Sequence, residues 1–302
     1  MSRIPTENKM KVCFFCSKPI IGKKTLEHII PDSLLGKLGI KEKILHGQTK
    51  TQYSRIKVPA HGTCNSEFGS RYENEILALL ESPDSLYESL IQDENAILLQ
   101  YQPSSDNAAL ITTWLSKIYY GLFYNDYLKV DSSEWNEVCK EIIDNDNFRL
   151  IQQSYEKNHG FSLPSSLFVF KTNNEEFDLV TYALPQAILI KIKSLVFILC
   201  IADGYLTKAY LNGEKIKLLK DYLSNELKLN PKFPLHSFAF AEIVALRINI
   251  PKTPSFAYSN EFMLNMSTST SVEDPQSFYK VDEKKIIEDK KDILRNMNII
   301  ET

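Results

Sequence analysis

Two pairs of soft metal ligands near the amino terminus constrain this chain of 302 residues more than any other feature. Cys13 and Cys16 form a Cys-x-x-Cys pair, His61 and Cys64 form a His-x-x-Cys pair, and 44 residues separate the two pairs. Each pair can hold one side of a tetrahedral zinc ion, and three thiolates with one imidazole are an accepted structural ligand set. We therefore predict a structural zinc site at these four residues, joining the two ends of the segment between them.

The remaining cysteines and the chain's apolar runs exclude other classes of protein. Cys139 and Cys200 lie in apolar patterns, which predict buried small hydrophobic residues. Residues 1–9 lack the apolar stretch of a secretion signal, so we expect a cytoplasmic protein in which clustered cysteines bind metal instead of forming disulfides. The longest apolar run, residues 195–202, is far shorter than the roughly 20 residues of a membrane helix, so we expect no membrane partner.

The charge distribution separates a basic first quarter from an acidic remainder. Residues 1–75 carry thirteen Lys and Arg against seven Asp and Glu, whereas the whole chain has a net charge of −3. A basic segment of this kind favours an anionic partner, most simply a phosphate backbone. We expect sequence-independent, salt-sensitive contacts with nucleic acid, and we assign them to Lys23, Lys24, Lys57 and Arg71.

Hydrophobic periodicity predicts an α+β fold in two domains, at residues 1–82 and 83–302. In the first domain we predict strands at 11–16 and 53–58, a lysine-rich loop at 36–51 and a helix over 64–81. In the second we predict helices over 86–99, 107–127, 133–143 and 148–157. A mainly antiparallel sheet follows, with strands over 167–171, 177–183, 187–192 and 195–202 and a hairpin turn at 173–175. Further helices are predicted over 214–227 and the last twenty residues.

Two further stretches accompany the ligand pairs. Residues 25–31 read Thr-Leu-Glu-His-Ile-Ile-Pro, and residues 63–73 read Thr-Cys-Asn-Ser-Glu-Phe-Gly-Ser-Arg-Tyr-Glu. Together with the ligand pairs, over residues 10–80, they resemble the HNH nuclease family. That family has a Cys-x-x-Cys pair, an acidic residue followed by His, and a second ligand pair followed by Asn or His. The resemblance implies a small zinc-stabilised ββα-metal domain at the amino terminus.

The resemblance also implies an endonuclease that hydrolyses DNA, with RNA as a possible substrate. His28 would be the general base that activates water, since the pKa of imidazole lies near physiological pH. Asn65 and Glu27 would hold a catalytic Mg²⁺ or Mn²⁺, distinct from the structural zinc. Glu73, on the helix after Asn65, is interpreted as solvated or phosphate-facing.

Two departures from the family pattern keep an alternative open. His61 stands where the commoner pattern has a third cysteine, and the family's middle asparagine has no clear counterpart among Gln48, Gln52 and Ser54. His28 could instead be a histidine that only packs against its strand. The alternative function is a non-catalytic zinc-knuckle module that binds nucleic acid or a protein partner.

The larger carboxyl-terminal domain carries no motif for catalysis or phosphate binding. By analogy with bacterial nucleases that attach an HNH core to an unlike domain, we expect it to sense a trigger, bind a partner subunit or form a homo-oligomer. The same analogy suggests a role in defence against phage or foreign DNA.

Overall fold

The computed structural model describes residues 11–90, 97–98, 107–155, 165–172, 175–183, 186–201 and 256–258. These residues form a mixture of helix and sheet, which confirms the prediction that the protein contains both. The chain divides into two compact units, the first comprising Met1–Glu81 with Tyr101–Leu163 and the second Ser82–Gln100 with Pro164–Thr302. The first change of unit lies beside the predicted boundary at residue 82. Residues 101–163, however, return to the first unit, whereas the predicted second domain spans residues 83–302.

The amino-terminal part of the first unit is a strand, strand, helix arrangement with a small hairpin inserted. Its elements are β1 (Thr25–His28), α1 (Asp32–Lys37), β2 (Ile44–His46), β3 (Lys50–Gln52), β4 (Lys57–Ala60), α2 (Gly62–Phe68), a π-helical turn (Gly69–Glu73) and α3 (Asn74–Leu79). β1 and β4 pair antiparallel, with His28 opposite Lys57, and α2 begins two residues after β4.

Strand positions in this part differ from the prediction. Residues 36–51, expected to be a loop, contain β2 and most of the β2–β3 hairpin, whose strands are too short to show periodicity. The strand predicted at 53–58 begins as a 3₁₀ turn, and β4 continues through Pro59. Proline is tolerated there because the Ile29 N–H donates to the Ile56 carbonyl, so the Leu26–Pro59 pair is a non-hydrogen-bonded pair of the ladder. The strand predicted at 11–16 is reduced to one bridge, between Val12 and Pro19.

Three helices complete the described part of the first unit: α5 (Asn107–Lys129), α6 (Ser133–Ile143) and α7 (Asp146–Tyr155). All three helix predictions are confirmed, to within two residues at each end. The sequence suggests one apolar stripe on α5, but nearly every residue from Ala108 to Asp126 is buried, so α5 is a central helix. None of the helices in the described part of the chain is both long and apolar enough to cross a membrane.

An aromatic cluster joins the first cysteine pair to these helices. Phe14 and Phe15 lie between Cys13 and Cys16 and are almost fully buried. The Phe14 ring centroid lies 5.4 Å from that of Phe148, and the Phe15 ring stacks on Phe68 at 4.9 Å. The amino-terminal segment therefore shares its core with residues 107–155 and is not an independent mini-domain.

Replacing Phe14 by alanine should destabilise the first unit by about 3–5 kcal/mol, the usual cost of removing a buried aromatic side chain. Chemical denaturation of the variant and the parent protein measures this change. Leu150→Ala is a control, because this side chain is exposed on α7 and should alter stability by only about 0.5 kcal/mol. Equal effects of the two substitutions would contradict the described packing.

The second unit is built on an antiparallel sheet. Its described elements are α4 (Pro83–Leu90), β5 (Ile97–Leu98), β6 (Ser166–Lys171), β7 (Asp178–Tyr182), β8 (Ala187–Ile192), β9 (Leu195–Cys200) and β10 (Phe256–Tyr258). The strand order is β10-β7-β8-β9-β6-β5.

The prediction of a hairpin with its turn at 173–175 is wrong, because β6 pairs along its whole length with β9 and not with β7. A polar turn signal indicates that the chain reverses, but it does not determine which strands pair. The helices predicted over 214–227 and the last twenty residues lie outside the described residues.

Candidate metal centre and active site

The structure brings the four predicted zinc ligands together. One ligand atom from each of Cys13, Cys16, His61 and Cys64 lies within 4.8 Å of all the others. The Cys16 Sγ lies 3.4 Å from the His61 Nδ1, and the Cys64 Sγ lies 3.8 Å from both of these atoms. Zinc–sulfur bonds of about 2.3 Å in a tetrahedron imply sulfur–sulfur distances of about 3.8 Å. The cluster could hold a metal ion such as zinc.

Neighbouring backbone groups prepare His61 and Cys13 for such a role. The His61 Nε2 lies 3.2 Å from the Pro19 carbonyl oxygen. When Nε2 carries the proton and donates to that oxygen, the Nδ1 lone pair faces the thiols, as is usual for a metal-binding histidine. The His61 backbone N–H points at the Cys13 Sγ, at 3.4 Å. Both contacts favour a bound cation.

The thiols carry an electrostatic penalty that a cation would relieve. Burial raises the pKa of Cys64 to about 12, with further contributions from the neighbouring Cys13 and Cys16. Burial also raises the pKa of Cys16. Because metals bind the thiolate form, a divalent ion among these groups would stabilise the charges that the protein alone disfavours.

Helix α7 holds the first cysteine pair from outside the motif. The Gln152 side-chain amide donates to the Phe14 carbonyl at 2.6 Å, and the Ser17 hydroxyl donates to the Gln152 Oε1 at 2.7 Å. These bonds satisfy polar groups of the turn between the cysteines and fix its position against the helix.

His28 ends β1, with Lys57 opposite it on β4. Its side chain is 27% exposed, and its Nε2 lies 4.0 Å from Asp32 Oδ1. Asp32 in turn accepts a 2.6 Å hydrogen bond from Lys41. Partial burial lowers the pKa of His28, Lys57 lowers it further, and Asp32 opposes the change. The lowered pKa favours the neutral form of the imidazole, and the side chain is reachable from solvent.

Glu27 lies on the opposite side of the strand, in a buried ionic cluster with Lys117 and Glu73. The fully buried Lys117 ammonium donates to Glu27 Oε1, to Glu73 Oε1 and to the His28 carbonyl, each at 2.6 Å. Burial raises the pKa of Glu73, Lys117 opposes this, and Glu27 adds to it. The interpretation of Glu73 as solvated is wrong, because its side chain is only 12% exposed and paired.

Asn65 follows Cys64 on α2 and is half-buried. Its backbone N–H donates to the His61 carbonyl at 3.0 Å. Within the described part of the chain, its carboxamide forms no hydrogen bond to His28 or to Glu27. The described residues contain no second group of three or more His, Cys, Asp or Glu side chains arranged to hold an ion.

The four residues predicted to contact nucleic acid lie at different points of the first unit. Lys23 and Lys24 are exposed in the turn before β1, and Lys57 is half-buried beside His28. Arg71 is half-buried, and its guanidinium lies 5.6 Å from the centre of the Tyr72 ring. Binding to nucleic acid by these four residues stays a prediction.

Sequence reasoning missed Lys117 and Asp32. A signal for Lys117 was available, since it is the one charged residue between Asp106 and Asp126. A lone cation on a helix that is otherwise apolar or uncharged implies a buried acidic partner, because an unpaired buried charge is costly. Asp32 has no comparable signal, because its nearness to His28 depends on the turn at Pro31 and the start of α1.

Comparison of the chain with protein-family models, with curated proteins and with solved structures gives no match.

Proposed function

We propose that this protein is a nuclease in which His28 acts as the general base on a water molecule that attacks a phosphodiester. The observation that supports this most is the position of His28, whose partly exposed side chain lies at the end of β1, opposite Lys57 on β4. β4 leads directly into α2, the helix that carries Cys64. An imidazole in this position can accept a proton from water near neutral pH.

Charged groups near His28 suit an anionic substrate. Lys57 and Lys41 are close enough to lower the pKa of His28, and their charges would attract a phosphate and stabilise negative charge that develops on it. Asp32, at 4.0 Å from the imidazole, would stabilise the imidazolium formed after proton transfer. Lys23, Lys24 and Arg71 would add salt-sensitive affinity for the rest of the backbone.

The catalytic Mg²⁺ or Mn²⁺ implied by the resemblance does not fit the described arrangement. The predicted ligand Glu27 is buried, and its carboxylate is already bound by the Lys117 ammonium at 2.6 Å. We therefore derive no step through such an ion. The zinc group, in contrast, fits the four soft ligands, and its proposed role is structural.

The pairing of Glu27 with Lys117 also favours a second candidate function. A site whose acidic residue is neutralised by lysine could have lost cleavage and kept the metal-stabilised basic surface. In that case the protein is a zinc module that binds nucleic acid without cutting it.

A cleavage and binding experiment separates the two candidates. The purified protein is incubated with supercoiled plasmid, and separately with RNA of matched length, in chelator and in Mg²⁺ or Mn²⁺. The nuclease proposal predicts nicked or linear products from DNA, with binding measured in parallel by fluorescence anisotropy. Binding without cleavage under all of these conditions would contradict it and support the second candidate, and faster cutting of RNA would reassign the substrate.

A further inference from the structure

One face of α5 is specialised to contact the β1–β4 strand pair and the turn before β4. Lys117, Gly121, Asn125 and Lys129 recur every four residues and so lie along one side of the helix. The Asn125 Oδ1 accepts a hydrogen bond from the Lys57 backbone N–H at 3.3 Å, and the Lys129 ammonium donates to the Arg55 carbonyl at 3.0 Å. This face carries polar and small side chains on a helix that is otherwise mostly apolar.

Gly121 allows the helix to approach the β1–β4 strand pair closely. A Cβ atom at this position would lie 2.2 Å from Ile29 Cδ1 and 2.8 Å from Ile29 Cγ1. Real Cβ atoms do not approach other atoms so closely, and the β-branched Ile29 has few alternative rotamers. The backbone of α5 therefore packs directly on the residue that follows His28.

Lys117 acts on the main chain of His28 itself. The His28–Lys57 pair lies between hydrogen-bonded pairs of the ladder, so its main-chain groups point away from the partner strand. The His28 carbonyl would be without a partner in the sheet, and Lys117 supplies one. The other two ammonium protons bind Glu27 and Glu73, so all three donors of the lysine are used.

We propose that Lys117 is a positioning residue for the cleavage reaction, an inference that rests on the function proposed above. By holding the His28 carbonyl and the Glu27 carboxylate, Lys117 fixes the end of β1 and therefore the direction of the His28 imidazole. It does not touch the substrate, since it is fully buried. The active site thus extends beyond residues 10–80 and includes a helix that begins at residue 107.

Two variants test the proposal. Lys117→Met removes the ammonium but leaves two buried carboxylates, and this variant could fail to fold. The double variant Lys117→Met/Glu73→Gln keeps the net charge of the cluster and leaves at position 73 an amide that can donate to Glu27. Lys140→Met, an exposed lysine on α6, is the control for loss of a lysine.

The expected result is a loss of kcat with binding unchanged. We expect kcat for plasmid cleavage to fall about 100-fold in the double variant, as for small displacements of a catalytic group, and KM to stay within about twofold. The Ile29 amide shares a peptide group with the His28 carbonyl. Its ¹⁵N resonance should therefore shift in the double variant relative to the parent protein. The zinc content and the cleavage rate of Lys140→Met should both match those of the parent protein.

Three outcomes would overturn the proposal. They are a folded, zinc-loaded double variant that cuts at the parental rate, an Ile29 ¹⁵N resonance that does not move, and a parent protein without an exchange-protected Lys117 ammonium signal. The last measurement needs no variant to fold. If the parent protein does not cut nucleic acid, the proposed function fails, whereas the two NMR signals still decide whether Lys117 holds His28.

Discussion

Replacing His28 by alanine should lower the rate of DNA cleavage by about 10²- to 10⁴-fold, the usual contribution of a general base. The variant loses the imidazole that, in the proposed reaction, accepts a proton from water. No ligand of the zinc group changes, and the side chain is only partly buried, so zinc content and thermal stability should stay near the parental values. Initial rates of plasmid nicking at equal protein concentrations measure the effect.

His46→Ala is the matched control for this experiment. His46 is a half-buried histidine on β2, which lies between β1 and β4 in the chain. The proposed reaction gives it no role. Cleavage by this variant should stay within about threefold of the parent, since it removes no transition-state contact. Equal rates for His28→Ala and the parent would contradict the assignment of the base.

Replacing Cys64 by serine should abolish high-affinity zinc binding and destabilise the first unit severely. Structural zinc contributes about 10–16 kcal/mol of apparent binding free energy in small zinc-binding peptides. Whole domains are stable by only about 5–15 kcal/mol. Loss of one of four ligands should therefore remove most of the stability of this unit. Metal analysis and thermal unfolding, each with and without chelator, measure the two effects.

Cys139→Ser provides the matched control for the zinc-ligand variant. Cys139 is fully buried on α6 and lies outside the metal cluster. A polar atom in the core should lower stability by about 1–3 kcal/mol, but zinc should be retained at the parental amount. Parental stability and zinc content in Cys64→Ser would show that the cluster does not bind a structural metal.

Local sequence patterns predicted much of the first unit correctly. The ligand spacing predicted a cluster that the structure assembles, and the periodicity of α5, α6 and α7 gave their bounds to within two residues. These features depend on neighbours in the sequence, or on a strong constraint such as a shared metal. A pattern of this kind can be recognised without knowledge of the rest of the fold.

Tertiary pairing could not be predicted in the same way. The partner of Glu27 lies 90 residues away on α5, and β6 pairs with β9 instead of the nearest strand. The sequence shows that Lys117 needs an acidic partner, but several acidic residues could supply it. The assignment of residues 101–163 to the first unit depends on the same long-range packing of aromatic side chains.

This difference changes the interpretation of the residues predicted to be catalytic. The motif alone suggested that Glu27 and Asn65 share a metal ion, whereas the structure places Glu27 in a buried pair with Lys117. His28 keeps a partly exposed imidazole, whose pKa is lowered by burial and by the neighbouring Lys57. Cleavage with and without divalent ions is therefore as informative as the His28 variant itself.

The most direct test of this account is X-ray absorption at the zinc edge of the purified protein, together with its metal content. The account predicts one zinc per chain, bound by three sulfur atoms at about 2.3 Å and one nitrogen at about 2.0 Å. These ligands correspond to Cys13, Cys16, Cys64 and His61. A protein that folds and functions without bound zinc, or whose zinc has mainly oxygen ligands, would contradict it.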